Sequence, residues 1–128
     1  EVQTEVAMGE RRKAERKDLV YYSRVSDTIS GRDLGNLINI TPEGAMVLCE
    51  RPVEADKVMQ LVIELPEGLA SKTRVQVDGK SLWCREDVNP EFYDVGFAFT
   101  NLAPEDAEII QSLVENYSFN RERGYEGF

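Results

Sequence analysis

Short apolar runs fill the middle of the chain. Leu19-Val20-Tyr21-Tyr22, Asn36-Leu37-Ile38-Asn39-Ile40 and Ala45-Met46-Val47-Leu48-Cys49 are the first three. Val58 to Leu65 is a fourth, closed by the turn signal Pro66-Glu67-Gly68. Val75-Gln76-Val77-Asp78 alternates with period two, and the pattern resumes beyond Gly79 as Ser81-Leu82-Trp83-Cys84. Phe92 to Phe99 alternates again, which places Val95, Phe97 and Phe99 on one face. Six or seven short strands with no helix between them predict a mainly β fold, a small antiparallel barrel or sandwich. The period then changes. Pro104-Glu105-Asp106 reads as a helix opening, with Pro in the first turn and acids facing the positive end of the dipole. Ile109, Ile110, Leu113, Val114 and Tyr117 make one apolar stripe, so the spacing predicts a single C-terminal helix covering an end or edge of the barrel.

Around this frame the chain divides into a flexible arm over 1–9, a basic segment over 10–17, the barrel over 18–102, the helix over 103–117 and a mobile tail over 118–128. At 128 residues this is one domain. Residue 1 is Glu rather than Met, which is also compatible with a piece of a longer protein.

Charge changes the picture next. Lys and Arg total 15 against 24 Asp and Glu, a formal net charge of −9. Such a surface repels a phosphate backbone, which argues against DNA or RNA as a general partner. No apolar run approaches the roughly 18 residues of a membrane helix, and the N-terminus lacks a signal-peptide layout, so the expectation is a cytoplasmic protein without membrane insertion. Histidine is absent, which removes the commonest general base, the Ser-His-Asp and Cys-His arrangements and most zinc sites. Cys49 and Cys84, both in apolar strand-like surroundings, read as small buried hydrophobes rather than a redox pair.

Several weaker signals reduce to ordinary structure. Gly79-Lys80-Ser81 ends like a phosphate-binding loop, but Arg74 stands where that motif needs Gly, and the segment reads as a hairpin turn. Glu86-Asp87 and Glu105-Asp106 read as solvated turns or helix starts, not as acid/base pairs. Trp83, the sole tryptophan, reads as a core or barrel-mouth residue ahead of a base-stacking platform. No enzyme signature, catalytic residue, cofactor or metal site emerges.

One constellation remains. Residues 11 to 17 hold five cations and one anion, a balance of +4 inside a protein of net −9. Within that run Arg12 and Arg16 stand four apart. Farther on, Asn39-Ile40-Thr41-Pro42-Glu43-Gly44 joins the second and third strands and offers a carboxamide, a hydroxyl and an unhindered backbone N–H. Arg grips phosphate oxygens bidentately and takes the O6/N7 edge of guanine. Two guanidiniums facing such a turn suit a small ligand with phosphates and a purine.

This ordered pair, Arg-x-x-x-Arg and then Asn-x-Thr-x-x-Gly, resembles the PilZ domain family, whose pattern is Arg-x-x-x-Arg followed by Asp/Asn-x-Ser-x-x-Gly. The resemblance covers about residues 10 to 117, including the Tyr93–Phe99 strand and the closing helix. It implies a six-stranded antiparallel barrel with one C-terminal helix, and a bacterial receptor for the second messenger cyclic di-GMP. By position, Arg12 and Arg16 would clasp guanine edges and phosphates, while Asn39, Thr41 and the Gly44 turn would bind guanine and ribose-phosphate. Arg11, just before the motif, goes in this family with two intercalated ligand molecules rather than one. Thr41 departs from the usual Ser by a methyl group. The implied mechanism is non-enzymatic: ligand orders the basic segment over the barrel, and a downstream protein reads the new surface. The alternative is a PilZ-like interaction module that docks to a protein without binding nucleotide.

Overall fold

β-Pairing closes the chain into a ring. The computed structural model describes residues 17–19 and 23–120, with side chains described from 23 to 117. In chain order the strands are β1 (Lys17–Leu19), β2 (Arg24–Asp27), β3 (Arg32–Thr41), β4 (Gly44–Cys49), β5 (Val58–Glu64), β6 (Arg74–Glu86) and β7 (Tyr93–Phe99). Helix α1 (Pro104–Tyr117) and a short β8 (Ser118–Asn120) follow. Hydrogen bonding runs β2-β5-β6-β7-β4-β3 and returns from β3 to β2, a closed six-stranded antiparallel barrel. Closure leaves these six strands without an open edge. Outside the ring, β1 pairs with β3 at Asp18 opposite Asn39, and with β8 at Lys17 opposite Asn120.

Alternation fills the barrel. Val25, Leu37, Val47, Leu61, Val75 and Val95 point inward and are at most 1% exposed. Burying one such side chain contributes about 1.5–3 kcal/mol. The predicted face of β7 holds, with Val95 and Phe97 buried and Phe99 packed against the core. So does the helical stripe: Ile110 and Leu113 belong to the same core cluster, and Ile109, Val114 and Tyr117 flank it. The first helical turn carries Asp106, buried and ion-paired to Lys72 Nζ at 2.8 Å. That hydrogen bond holds the Lys72 amine above its usual range.

Three expectations need correction, and one is refined. Arg24–Asp27 is a strand that the apolar pattern did not mark, because only Val25 is apolar in it. Gly79-Lys80-Ser81 is no turn; it lies inside the unbroken 13-residue β6. A Cβ at Gly79 would lie 2.7 Å from Leu61 Cδ1, and Ser81 Oγ donates to Glu54 O at 2.6 Å and accepts from Lys57 N at 2.9 Å. Of the acidic pairs, Glu105-Asp106 opens α1 as expected, with Asp106 buried, and Asp87 hydrogen-bonds Asp94. Finally, Ser118–Asn120 is strand rather than tail, while 121–128 lie outside the described residues.

Candidate functional site

Two β-bulges shape one patch of the barrel's outer wall. In β3 the register passes from Leu37 opposite Val47 to Asn39 opposite Met46, so Ile38 is the extra residue. In β6 it passes from Ser81 opposite Phe97 to Trp83 opposite Gly96, so Leu82 is the extra residue. A bulge shifts the inward–outward alternation by one and re-aims the next side chain. Leu37 and Ile40 both stay in the core, and Asn39 between them turns outward. Likewise Ser81 is fully buried, and Trp83 leaves the inward phase that Val75 and Val77 set. The register then lines up Asp18, Asn39, Met46, Gly96 and Trp83 as one row across five strands.

A cavity of about 300 Å³ opens on this row. Asn39, Thr41, Glu43 and Gly44 form one side, and Leu82 with Trp83 forms the other. Met46, Gly96 and Ala98 floor it. Two glycines are required by close approach. A Cβ at Gly44 would sit 2.2 Å from Phe97 O, and one at Gly96 would sit 2.4 Å from Trp83 Cε2. The first lets the hairpin close on β7, where Phe99 N donates to Glu43 O at 3.0 Å. The second lets the indole lie flat on the strand.

The polar groups are unevenly engaged. Thr41 Oγ1 accepts from Glu43 N at 3.1 Å, which fixes the turn and leaves the hydroxyl proton free to be donated. Asn39 is 5% exposed, yet its Nδ2 has no hydrogen-bond partner among the described residues. A buried amide donor left unmade costs about 1–3 kcal/mol.

The structure thus brings together three of the sequence-predicted residues, Asn39, Thr41 and Gly44, in one cavity. Arg11, Arg12 and Arg16 lie outside the described residues. Lys17, directly after Arg16, begins β1, whose Asp18 is paired with Asn39. Trp83 is corrected from a core residue to a half-buried cavity wall; cross-strand register, which no local pattern carries, puts it there. Leu82, 51% exposed beside it, was also missed. Cys49 and Cys84 are free thiols, and burial pushes the Cys49 thiol up to about 12, as suits a small neutral core residue. No helix among the described residues is long and apolar enough to cross a membrane.

A closed six-stranded barrel with a C-terminal helix and a polar hairpin beside strand β1 defines a small β-barrel domain. The family model described as "PilZ domain" matches residues 10–116, and the chain belongs to that family. Among solved structures, it is similar to the Bacillus subtilis inhibitor of motility MotI/DgrA, at 14% identity and a TM-score of 0.65, covering 81% of this chain and 50% of that one. It is similar also to Escherichia coli YcgR in complex with c-di-GMP, at 14% identity and a TM-score of 0.66, covering 82% and 45%. A third is MrkH of K. pneumonia in its apo state, at 14% identity and a TM-score of 0.60, covering 80% and 46%. The chain spans about half the length of these solved proteins. No curated protein matches it.

Proposed function

We propose that this PilZ domain is a receptor for cyclic di-GMP, using Arg11, Arg12 and Arg16 on the segment before β1 and Asn39, Thr41 and Gly44 on the β3–β4 hairpin. The observation that carries this reading is the unanswered Asn39 Nδ2, buried at the wall of a cavity beside which the arginine-bearing segment joins the barrel. Asp18 stands two positions after Arg16, a reach of about 7 Å at most. YcgR, whose structure holds c-di-GMP, shares the fold and lends support.

The chemistry matches. Cyclic di-GMP is a dianion with two guanines. Guanidiniums serve its phosphates and the O6/N7 edges, and the Asn39 donor answers a ligand oxygen or ring nitrogen. Asn39 in place of Asp also keeps a negative charge away from the ligand. At about 300 Å³ the cavity is at the lower limit of small-molecule sites, roughly 300–1,000 Å³, so it takes part of the ligand and leaves the rest for the basic segment to cover. Neutralising that segment's +4 balance draws it onto the barrel, and the changed surface passes the signal to a downstream protein. The domain binds without turning its ligand over, and a cytoplasmic location belongs to the same reading.

Titration calorimetry with cyclic di-GMP on the wild type, Arg12→Ala and Arg16→Ala tests it. Each variant is expected to weaken binding by about 1.5–3 kcal/mol, the worth of a charge-assisted hydrogen bond. Unchanged heats in both variants would reject the assignment. In a thermal melt, ligand at 100 times its Kd should add about 2.7 kcal/mol to wild-type stability, and no shift would favour the interaction module instead.

A further inference from the structure

Beside the cavity stands a set of charges that ligand binding, as described, leaves unused. Arg85 Cζ lies 4.7 Å from the centroid of the Trp83 ring. Its Nε is 4.0 Å from Asp94 Oδ2 on β7. The register explains both contacts. Arg85 is two residues beyond Trp83 on the same outer face of β6, and it stands opposite Asp94 as Trp83 stands opposite Gly96. The indole, seated on the Gly96 backbone, therefore also carries a guanidinium tethered to the neighbouring strand.

We infer that Arg85 is a positioning residue that acts through Trp83: tethered by ionised Asp94, it holds the indole in place as the cavity wall, and a proton taken up between Asp94 and Asp87 lets it go. The inference deepens the receptor reading and rests on it for the identity of the ligand.

Asp94 is placed to act as the tether. Its side chain is only 15% exposed, against 49% for that of Arg85. Burial, then the hydrogen bond and negative charge of Asp87, push its carboxyl up to about 6, with Arg85 pulling the other way. From β6 it faces Arg85, with exposed Glu86 one position on, opposite Tyr93. The loop after β6 contributes Asp87, and β4 contributes uncharged Leu48 directly opposite. Cys49, next on β4, feels Asp94 but stays neutral with its thiol near 12. Asp94 thus changes charge around pH 6. Above that value the Asp94 carboxylate holds Arg85. Below it, neutral Asp94 bonds to Asp87 and the guanidinium loses its anchor.

The direction of the pH effect discriminates. If Asp94 acted only as a bare charge, its ionisation beside an anionic ligand would weaken binding as pH rises. A tether does the reverse. Trp83 is the sole tryptophan, so indole emission of the ligand-free full chain reads the wall directly. The expected result is an emission change with a midpoint near 6, absent in Asp94→Asn and in Arg85→Met. Cyclic di-GMP affinity should be about two- to five-fold higher above the midpoint than below it, weakened in Asp94→Asn and partly retained in Arg85→Lys. Flat wild-type emission across the midpoint, or tighter binding by Asp94→Asn, overturns the inference. A wild type that binds no cyclic di-GMP at either pH overturns the receptor reading instead, and the emission titration still decides whether the tether exists.

Discussion

The strand β3 ends in a tight turn on both sides, and each turn is anchored near a buried polar side chain. At the β2–β3 turn, Asp27 is 3% exposed. Its carboxylate accepts from Ile29 N at 3.2 Å, Ser30 N at 3.1 Å and Gln60 N at 2.9 Å. Burial pushes that carboxyl up, but the Ser30, Gln60 and Ile29 hydrogen bonds outweigh it and hold the group below its usual range. At the β3–β4 turn, Asn39 is buried to nearly the same degree and its donor is unanswered among the described residues. Equal burial has opposite meanings here. Where the chain supplies the partners, the residue holds the fold together. Where it withholds one beside a cavity, the residue keeps a donor with which the proposed ligand can pair.

Substitutions at three positions can break or sharpen that contrast. Asp27→Ala, with the largest effect, should lose on the order of 3 kcal/mol in urea unfolding, because it strands buried backbone donors, while the folded fraction binds cyclic di-GMP normally. Since the native carboxyl of Asp27 is depressed, its contribution is present above the unfolded carboxylate range and is lost as pH falls through the native value. An acid titration of stability should therefore be flatter in Asp27→Asn than in the wild type.

Asn39→Ala should do the opposite. Calorimetry should show binding weakened by about 2 kcal/mol, and unfolding should show stability unchanged or slightly raised, because the unanswered donor is gone. A large loss of stability in this variant would make the two turns alike and remove the argument for a ligand.

Asp94 is the intermediate case, a half-buried carboxyl answered only in part. Its native value is raised to about 6 from 3.8, so it favours the native state at low pH, and that contribution is lost as pH rises from about 4 to about 6. Asp94→Asn should accordingly gain about 1–2 kcal/mol of stability at pH 7 and almost nothing at pH 4, by chemical unfolding at the two values. Equal gains at both would place the cause in packing rather than ionisation.

Much of the barrel is legible in the sequence because alternation and burial coincide. Val95 and Phe97, or Ile110 and Leu113, follow their periods without interruption. The errors fall where one extra residue or one neighbour decides. Trp83 reads as inward from the phase of Val75 and Val77 until the bulge at Leu82 reverses it. Gly79 reads as a turn because nothing local reveals that Leu61, on the adjacent strand, occupies the space of its missing Cβ. On the hairpin side, Asn39, Thr41 and Gly44 were visible because turn chemistry is local. Trp83, Arg85 and Asp94 were not, since two strands had to be laid in register before they met.

The pairing of Lys17 with Asn120 has a mechanical meaning. Strands β1 and β8 run side by side on the flank that bears the proposed ligand seat. A pull on one is therefore carried by shared backbone hydrogen bonds to the other, and through Asp18 to Asn39 of β3 as well.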